Sequence, residues 1–528
     1  MHKIPLIGTI LAIFLCYQCA DSSADQIKEA AKNSLETAMT GEELAKIHCG
    51  SCHKYPSPEL LDKSTWGNFV LLRMAAFMGI YHDNVKYLDK MPAQWIEPGV
   101  GGQRVAAANI YPKEPLISRE DWEKIRDFYL KNAPMKLASA SAKTDIKVGI
   151  PNFEVAEFNK SKEVPPLVQA IAIDEATNSV YAGVYKDGIY KMNGQGKLVD
   201  KTVGTSFFVD FEMGKNKFIA LDMATRYATD NPAGKLLIAN SFKSFKQKKF
   251  NGNLPKLMRP VSFETGDLDG DGIEDYLVSE YGNYLGQLAW YGSKDSKNSF
   301  EQHILFADDG AIKAKILDLN QDGKNDILAL QGNGNEGVDR YLNQGNGEFK
   351  RERILRFLPT NGSTDFQIID FDGDGKQDIL YTNGDNGDYT PILKPHHGIR
   401  LFLNKNEEYK EAFFIPLNGV YQAEAVDFDK DGDLDIAAVS FHPDFKNHPQ
   451  ESFVFYENDG QNNFSAYTIP QFADSRWMRF TTGDVDADGD VDILLSAMNI
   501  KTPEIGEATA DKWAKEETAI LILRNQKR

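Results

Sequence analysis

Two periodicities divide the chain. Between about residues 39 and 135 apolar positions recur at helical spacing, and beyond about 150 they alternate at the two-residue period of strands. Thr40-Gly41-Glu42-Glu43 reads as a capping box, with Met39 and Leu44 at the staple positions, and opens a short helix carrying Leu44 and Ile47. Ser64 or Thr65 caps a second helix bearing Trp66, Val70, Leu71, Met74 and Met78. A third runs from Ser118 through Trp122, Ile125, Phe128, Tyr129 and Leu130 until Pro134 stops it, with Ile117 at its staple position. Residues 92–116, rich in Gly and Pro, are expected to be a long loop, and 136–149, with Ala-Ser-Ala-Ser-Ala at their centre, a linker.

Within the strand-rich part a nine-residue core, Asp-x-Asp-x-Asp-Gly-x-x-Asp, occurs five times, with Asn320 for Asp in the second copy, starting at Asp267, Asp318, Asp370, Asp427 and Asp484. The starts are 51, 52, 57 and 57 residues apart. Calcium-sized cations take six to eight oxygens, and alternating carboxylates in a tight loop converge on one point. The side-chain ligands expected are Asp267, Asp269, Asp271 and Asp275, then Asp318, Asn320, Asp322 and Asp326. The later copies supply Asp370, Asp372, Asp374 and Asp378, then Asp427, Asp429, Asp431 and Asp435, and finally Asp484, Asp486, Asp488 and Asp492. Position seven is chemically mixed (Ile273, Lys324, Lys376, Asp433, Asp490), which suits a backbone carbonyl ligand. The glycine at position six permits the sharp turn. Position twelve lacks the glutamate of an EF-hand, and each loop runs on into a strand-like stretch, such as Ile379-Leu380-Tyr381. These are strand–cation loop–strand units, and about five Ca2+ ions are expected.

A unit of about 50 residues with four strands is a propeller blade. Residues 168–201 and 207–250 repeat the strand rhythm without the acid loop, giving seven blades over 150–528. The last blade, from Trp477, has room for three strands ending at Ala519 to Leu523. Phe153 to Phe158 is expected to supply the fourth and so remove a free sheet edge. The fold class is thus a small all-α domain followed by an all-β seven-bladed propeller.

The chemistry is concentrated in Cys49-Gly50-Ser51-Cys52-His53. Two thiols three positions apart with an imidazole next to them is the spacing for c-type haem attachment, the thiols adding to the porphyrin vinyl groups and His53 reaching the iron. A redox dithiol and a zinc knuckle use the same CxxC, but a knuckle needs a second pair and no Cys follows Cys52. For the sixth iron ligand Met74 is preferred, Met91 is the alternative, and Met78 and His82 stand behind them. In the propeller, the loops joining second and third strands lie on the face opposite the acid loops. In blades five and six they hold His396, His397, His442 and His448, with Asp385, Asp388, Tyr389 and Asp444 nearby. That face reads either as a docking or substrate surface or as solvated loops with incidental histidines.

Composition is that of a globular protein, with 26% charged residues, and the net charge of −18 argues against nucleic acid and anionic membrane surfaces. Residues 1–20 carry Lys3 and an apolar run from Ile4 to Leu15, too short to span a membrane, then Cys16 and Cys19. This looks like a bacterial lipoprotein signal, Cys19 being the better acylation site and Cys16 the other, with 21–38 as a tether; a plain secretory signal is the alternative. Export to the periplasm or cell surface is expected either way. No nucleophile elbow, phosphate loop or HExxH is present.

Taken together, CxxCH, a Met-bearing middle helix and a closing aromatic helix make residues 39–135 resemble the class I cytochrome c domain. The acid loops make 150–528 resemble the FG-GAP/VCBS repeat family, whose seven-bladed propeller also occurs in integrin α-subunits. The resemblance implies an exported electron-transfer cytochrome with one haem c. Its propeller would dock a redox partner protein or an extracellular polymer. A haem-linked dehydrogenase acting on a substrate such as a sugar, and a carbohydrate-binding or adhesion protein, are the alternatives.

Overall fold

The computed structural model describes residues 39–81, 97–138, 144–159, 163–293, 299–386, 392–502 and 504–526. The expected signal and tether with Cys16 and Cys19, and also His82, Met91, Asp388 and Tyr389, lie outside these residues.

Seven antiparallel sheets follow one another along the chain. Blade one spans 168–201, two 208–257, three 260–306, four 311–356, five 363–416, six 420–468 and seven 477–525. Blade two therefore runs past the expected 250, because its fourth strand is Gly252–Leu257. Phe153–Glu157 completes blade seven, pairing antiparallel with Ile520–Asn525, as the missing-edge reasoning anticipated. Ile146–Val148, within the stretch read as linker, adds a fifth strand to blade six and pairs parallel with Phe464–Thr468. Three residues are too few to show strand periodicity, which is why the pattern missed it.

Apolar side chains fill the spaces between neighbouring sheets. The second strand of every blade except blade two, where Lys217 is half-buried, is buried along its whole length, for example Asp435–Ser440 and Asp492–Ala497, because both of its faces meet another blade. Trp477 and Phe480 of blade seven pack on Val439, Phe453 and Phe455 of blade six. Polar staples set the innermost strands side by side. Gln422 accepts from the N–H of Phe480 at 3.2 Å and donates to its carbonyl at 3.0 Å, and Gln367 does the same to Ala425 at 2.7 and 3.1 Å. Each amide thus stands in for a strand neighbour across the wedge between blades.

The helical unit comprises α1 (Gly41–His48), α2 (Leu71–Phe77), α3 (Val100–Ala107) and α4 (Arg119–Asn132). Both arms of the Thr40–Glu43 capping box form. The second helix starts earlier than expected. Asp62 is its cap, accepting from the N–H of Thr65 at 3.0 Å, and the chain passes through a π-turn at Trp66–Val70 before α2. The glycine-rich stretch expected as loop contains α3. Trp66 is buried, donates from Nε1 to the Pro58 carbonyl at 2.8 Å and meets the Tyr129 ring at 4.5 Å. Leu44, Leu71, Ile117, Trp122 and Ile125 close the core around that pair.

The unit docks on the propeller face opposite the acid loops. Tyr284 of blade three packs edge-on against the stacked rings of Phe77 and Tyr111, with ring centroids at 6.1 and 5.6 Å, and accepts from Arg73 at 2.7 Å. The fully buried carboxylate of Asp230 holds the Tyr284 loop by accepting from the N–H groups of Asn283, Tyr284 and Leu285. Asp230 in turn donates its own N–H to Glu97 of the helical unit at 2.7 Å. Burial raises the Asp230 carboxyl above its usual range against those donors. His53 reaches blade four at Gly334, and Ile392 of blade five joins the helical core.

Replacing Tyr284 with Ala is expected to weaken docking by about 2–4 kcal/mol, the range for losing a central buried aromatic anchor. The unit should then swing free, read as a larger radius of gyration in small-angle scattering and new protease cleavage within 136–149. Unchanged scattering and cleavage would remove Tyr284 from the seam.

A candidate redox chamber and the acid loops

Docking encloses a chamber of about 1460 Å³ between the helical unit and the propeller axis. Typical small-molecule pockets reach about 300–1,000 Å³, so this space exceeds the needs of one such ligand. Its roof belongs to the helical unit. Cys49, Cys52 and His53 line it beside Met74 and Met78, with Leu61, Trp66 and Val70 as apolar wall. Both thiols are free, Cys49 half-buried and Cys52 exposed. Burial pushes the Cys49 thiol up to about 11. His53 engages the Lys54 carbonyl through Nδ1 at 3.1 Å, and among the described residues its Nε2 has no partner. Burial, with Arg356 adding to it, lowers His53 below its ordinary range despite that hydrogen bond, so the ring is neutral.

The floor is a ring of seven side chains, one from each innermost strand. Each of these strands shifts register between its first and third residues, and the third faces the axis: Ala170, Asp210, Ser262, Lys313, Asp365, Gln422 and Arg479. Lys313 pairs with Asp365 at 2.7 Å. The Arg479 guanidinium lies 4.6 Å over the Tyr421 ring and, among the described residues, has neither an ion-pair nor a hydrogen-bond partner. Glu336, on the same wall, accepts from Gly362, Ser363 and the Ser363 hydroxyl, yet burial pushes it up to about 7.

Of the expected face residues, His442 and Asp385 reach the chamber. His442 faces the Glu504 carboxylate through Nδ1 at 2.8 Å, with Arg476 Nη2 3.3 Å from the same nitrogen; a carboxylate only accepts, so the shorter contact puts the proton on Nδ1, and Nε2 has no partner among the described residues. Burial would raise Glu504, but the His442 hydrogen bond and the charge of Arg476 hold it well below the carboxylate range. The structure does not bring the other histidines there. His396 bonds the Thr360 carbonyl at 2.8 Å, and burial lowers it to about 4. His397 is buried, and among the described residues its Nε2 has no hydrogen-bond partner. His448 donates its N–H to the carbonyl of Asp444, and the Asp444 carboxylate caps the turn at Lys446 and Asn447. Arg479, Tyr421, Phe441 and Glu504 were not anticipated. An arginine in an ordinary strand carries no local signal, and only the ring closure aims it at the axis.

The acid loops share one fold at the far ends of the innermost strands. The first carboxylate accepts from the N–H of the position-six glycine and the position-five carboxylate from the N–H of position seven, as in Gly375 to Asp370 and Lys376 to Asp374 at 2.9 and 3.0 Å. That glycine has φ between 83° and 98° in all five loops. Ligand oxygens of Asp267, Asp269 and Asp271 lie within 4.8 Å of one another, as do those of the copies at Asp370, Asp427 and Asp484. Among the described residues Asp370 Oδ1, Asp435 Oδ2 and Asp486 Oδ1 are buried without a hydrogen-bond partner, which suits oxygens able to ligate a cation. In blades four and five lysines lie on the acids instead, Lys324 on Asp322 at 2.7 Å and Lys405 on Asp372 at 2.6 Å. The copy at Asp318, with Asn320, is not among the convergent acid groups.

Position nine has a structural part in each loop. Asp326 accepts from Leu319 at 3.0 Å and from Asn343 of the third strand at 2.7 Å, and Asp275, Asp378 and Asp492 repeat both bonds. It clamps the loop to the sheet. Burial, followed by the neighbouring acids, pushes Asp435 up to about 7.

The FG-GAP-like repeat family matches residues 318–381 and 427–495, and the chain carries FG-GAP repeats on a seven-bladed propeller. A T-cell immunomodulatory protein homolog of Plasmodium falciparum is 26% identical over 265 residues, covering 45% of this chain and 33% of that protein. The chain thus spans about a third of the length of the curated relative it matches. Among solved structures, the S. cerevisiae Dbp5 complex with Nup159, Gle1, IP6 and ADP has a chain with TM-score 0.40 and 8% identity, covering 73% of this chain and 98% of its own. The Cps50 (Swd1) β-propeller domain of Myceliophteria thermophila has TM-score 0.41 and 9% identity, covering 70% of this chain and 98% of its own.

Asp326→Asn is expected to cost about 1–3 kcal/mol even in chelator, because one of two buried N–H groups loses its acceptor. Denaturant unfolding with and without EDTA measures it; a loss confined to calcium-loaded protein would reduce the clamp to a ligand.

Proposed function

We propose that this chain is an exported electron-transfer protein of the c-type cytochrome kind, its haem c carried by residues 39–135 and its propeller stiffened by calcium. What carries the reading is the meeting of two free thiols, a neutral imidazole with Nε2 available and two thioethers on one apolar chamber wall. Cys49 and Cys52 would hold the porphyrin, His53 the iron, and Met74, with Met78 beside it, is the described candidate for the sixth position. When bound, the group supplies one-electron transfer. The chain's own residues do the rest: Leu61, Trp66 and Val70 exclude water, and the Lys54 carbonyl fixes the His53 ring. About five Ca2+ sites are supported by the convergent carboxylates of four acid loops and by buried unpaired oxygens in blades five to seven, the sites of blades four and five competing with lysines. An N-terminal signal, with Cys19 or Cys16 as lipid anchor, would place the protein in the periplasm or on the cell surface.

One observation favours the dehydrogenase reading over docking of a large partner. The helical unit itself covers the blade-two to blade-five sector of the face expected to dock one, and what remains beside the thiols is a recessed chamber open on one side. A small substrate fits that space better than a protein or polymer.

Protein purified from an exporting host with c-type maturation is expected to be red and heavier by one haem. Cys49→Ala with Cys52→Ala should be colourless but folded. Colourless wild-type protein without the mass gain would overturn the reading. Chelation is expected to lower Tm reversibly, each site saturated at 100 Kd contributing about 2.7 kcal/mol; an unchanged Tm would remove the cations.

A further inference from the structure

On blades six and seven four side chains form a continuous patch in the chamber wall. The Arg479 guanidinium lies 4.6 Å over Tyr421, Tyr421 is 5.8 Å from Phe441, and the His442 ring stands edge-on to Phe441 at 4.9 Å. All four line the chamber. The contacts that seat the helical unit come from blades two to five, so this patch belongs to the sector they leave uncovered.

Its chemistry is uneven in a useful way. Most charges on the chamber wall are already answered: Lys313 by Asp365, Glu97 by Asp230 and Thr229, Glu336 by Gly362 and Ser363. Among the described residues Arg479 has no such partner, though it is only partly exposed and held flat by an aromatic ring. A guanidinium in that state presents a preorganised fork for a carboxylate. His442 is as rigid. Arg476, itself fully buried, donates to Glu504 at 2.7 Å and to the Phe441 carbonyl at 2.8 Å, and so fixes both the carboxylate and the ring it orients. The His442 Nε2 that results is an acceptor for a hydroxyl. Tyr421 and Phe441 give an apolar flank between the two polar ends.

We propose that this patch binds a small hydroxylated organic carboxylate, the anion on Arg479, a hydroxyl at His442 Nε2 and the carbon chain along Tyr421 and Phe441. The site stands on the chain's own residues and does not require the porphyrin. Glu504 is a positioning residue, acting through His442.

Calorimetric titration of the full chain with gluconate, whose terminal hydroxyls are several carbons from its carboxylate, tests it. Saturable one-site binding is expected. Arg479→Gln should weaken it tenfold or more and Arg479→Lys by less, while both keep the thermal transition of the parent. Uncharged glucose and glycerol should not compete. Cys49→Ala with Cys52→Ala should bind as well as the parent, which separates a failure here from a failure of the haem reading. No saturable binding, equal binding by folded Arg479→Gln, or equal competition by glucose would overturn the proposal. Binding confined to the cysteine-free variant would also overturn it, because the porphyrin's own propionates would then be the partners of Arg479.

Discussion

Everything distinctive about this molecule depends on the seam at Tyr284. Without it there would be a short helical unit on a linker and a propeller with an open axis. The seam is built from a single buried carboxylate outward: Asp230 gathers three backbone N–H groups and shapes the loop, the loop presents Tyr284, and Phe77, Tyr111 and Arg73 receive it. A buried carboxylate is costly unless its acceptors are filled, so Asp230 permits one loop conformation and the docking geometry inherits that uniqueness. Glu97 then ties the same loop system back to the helical unit.

Much of the fold could be read in advance because its signals are local and repeated. The capping box at Thr40, the stop at Pro134, the acid loops at fixed intervals and the completing strand at Phe153–Glu157 each follow from short-range rules. Where local rules competed, the reading slipped. Asp62 precedes Ser64 and Thr65, all good caps, and the tertiary packing of Trp66 selects the first. Gly101 and Gly102 lower helix propensity, yet α3 forms because Val105 is buried in the seam between the two units.

The site was legible in halves. CxxCH and the acid loops announce themselves in sequence, and the face histidines were rightly assigned to the side away from the acids. Which of those histidines would face a cavity was not legible. His397 differs from His442 only in what surrounds it: one is buried away from the chamber, the other lines it with Glu504 behind it. Arg479 is invisible to any motif because its role comes from a register shift shared by seven strands. The position-nine aspartates show the reverse case, a residue expected for its ligand chemistry that also serves as a hydrogen-bonded clamp.

The closing strand has a bearing on how the chain reaches its native state. Phe153 finds its partner at Asn525, so the ring can be joined only after nearly the entire polypeptide is available. Contacts that distant in sequence slow folding, and until the last sheet is completed the neighbouring edges stay exposed to intermolecular pairing. Ile146–Val148, laid along blade six, holds the waiting segment close to its destination and shortens that final search.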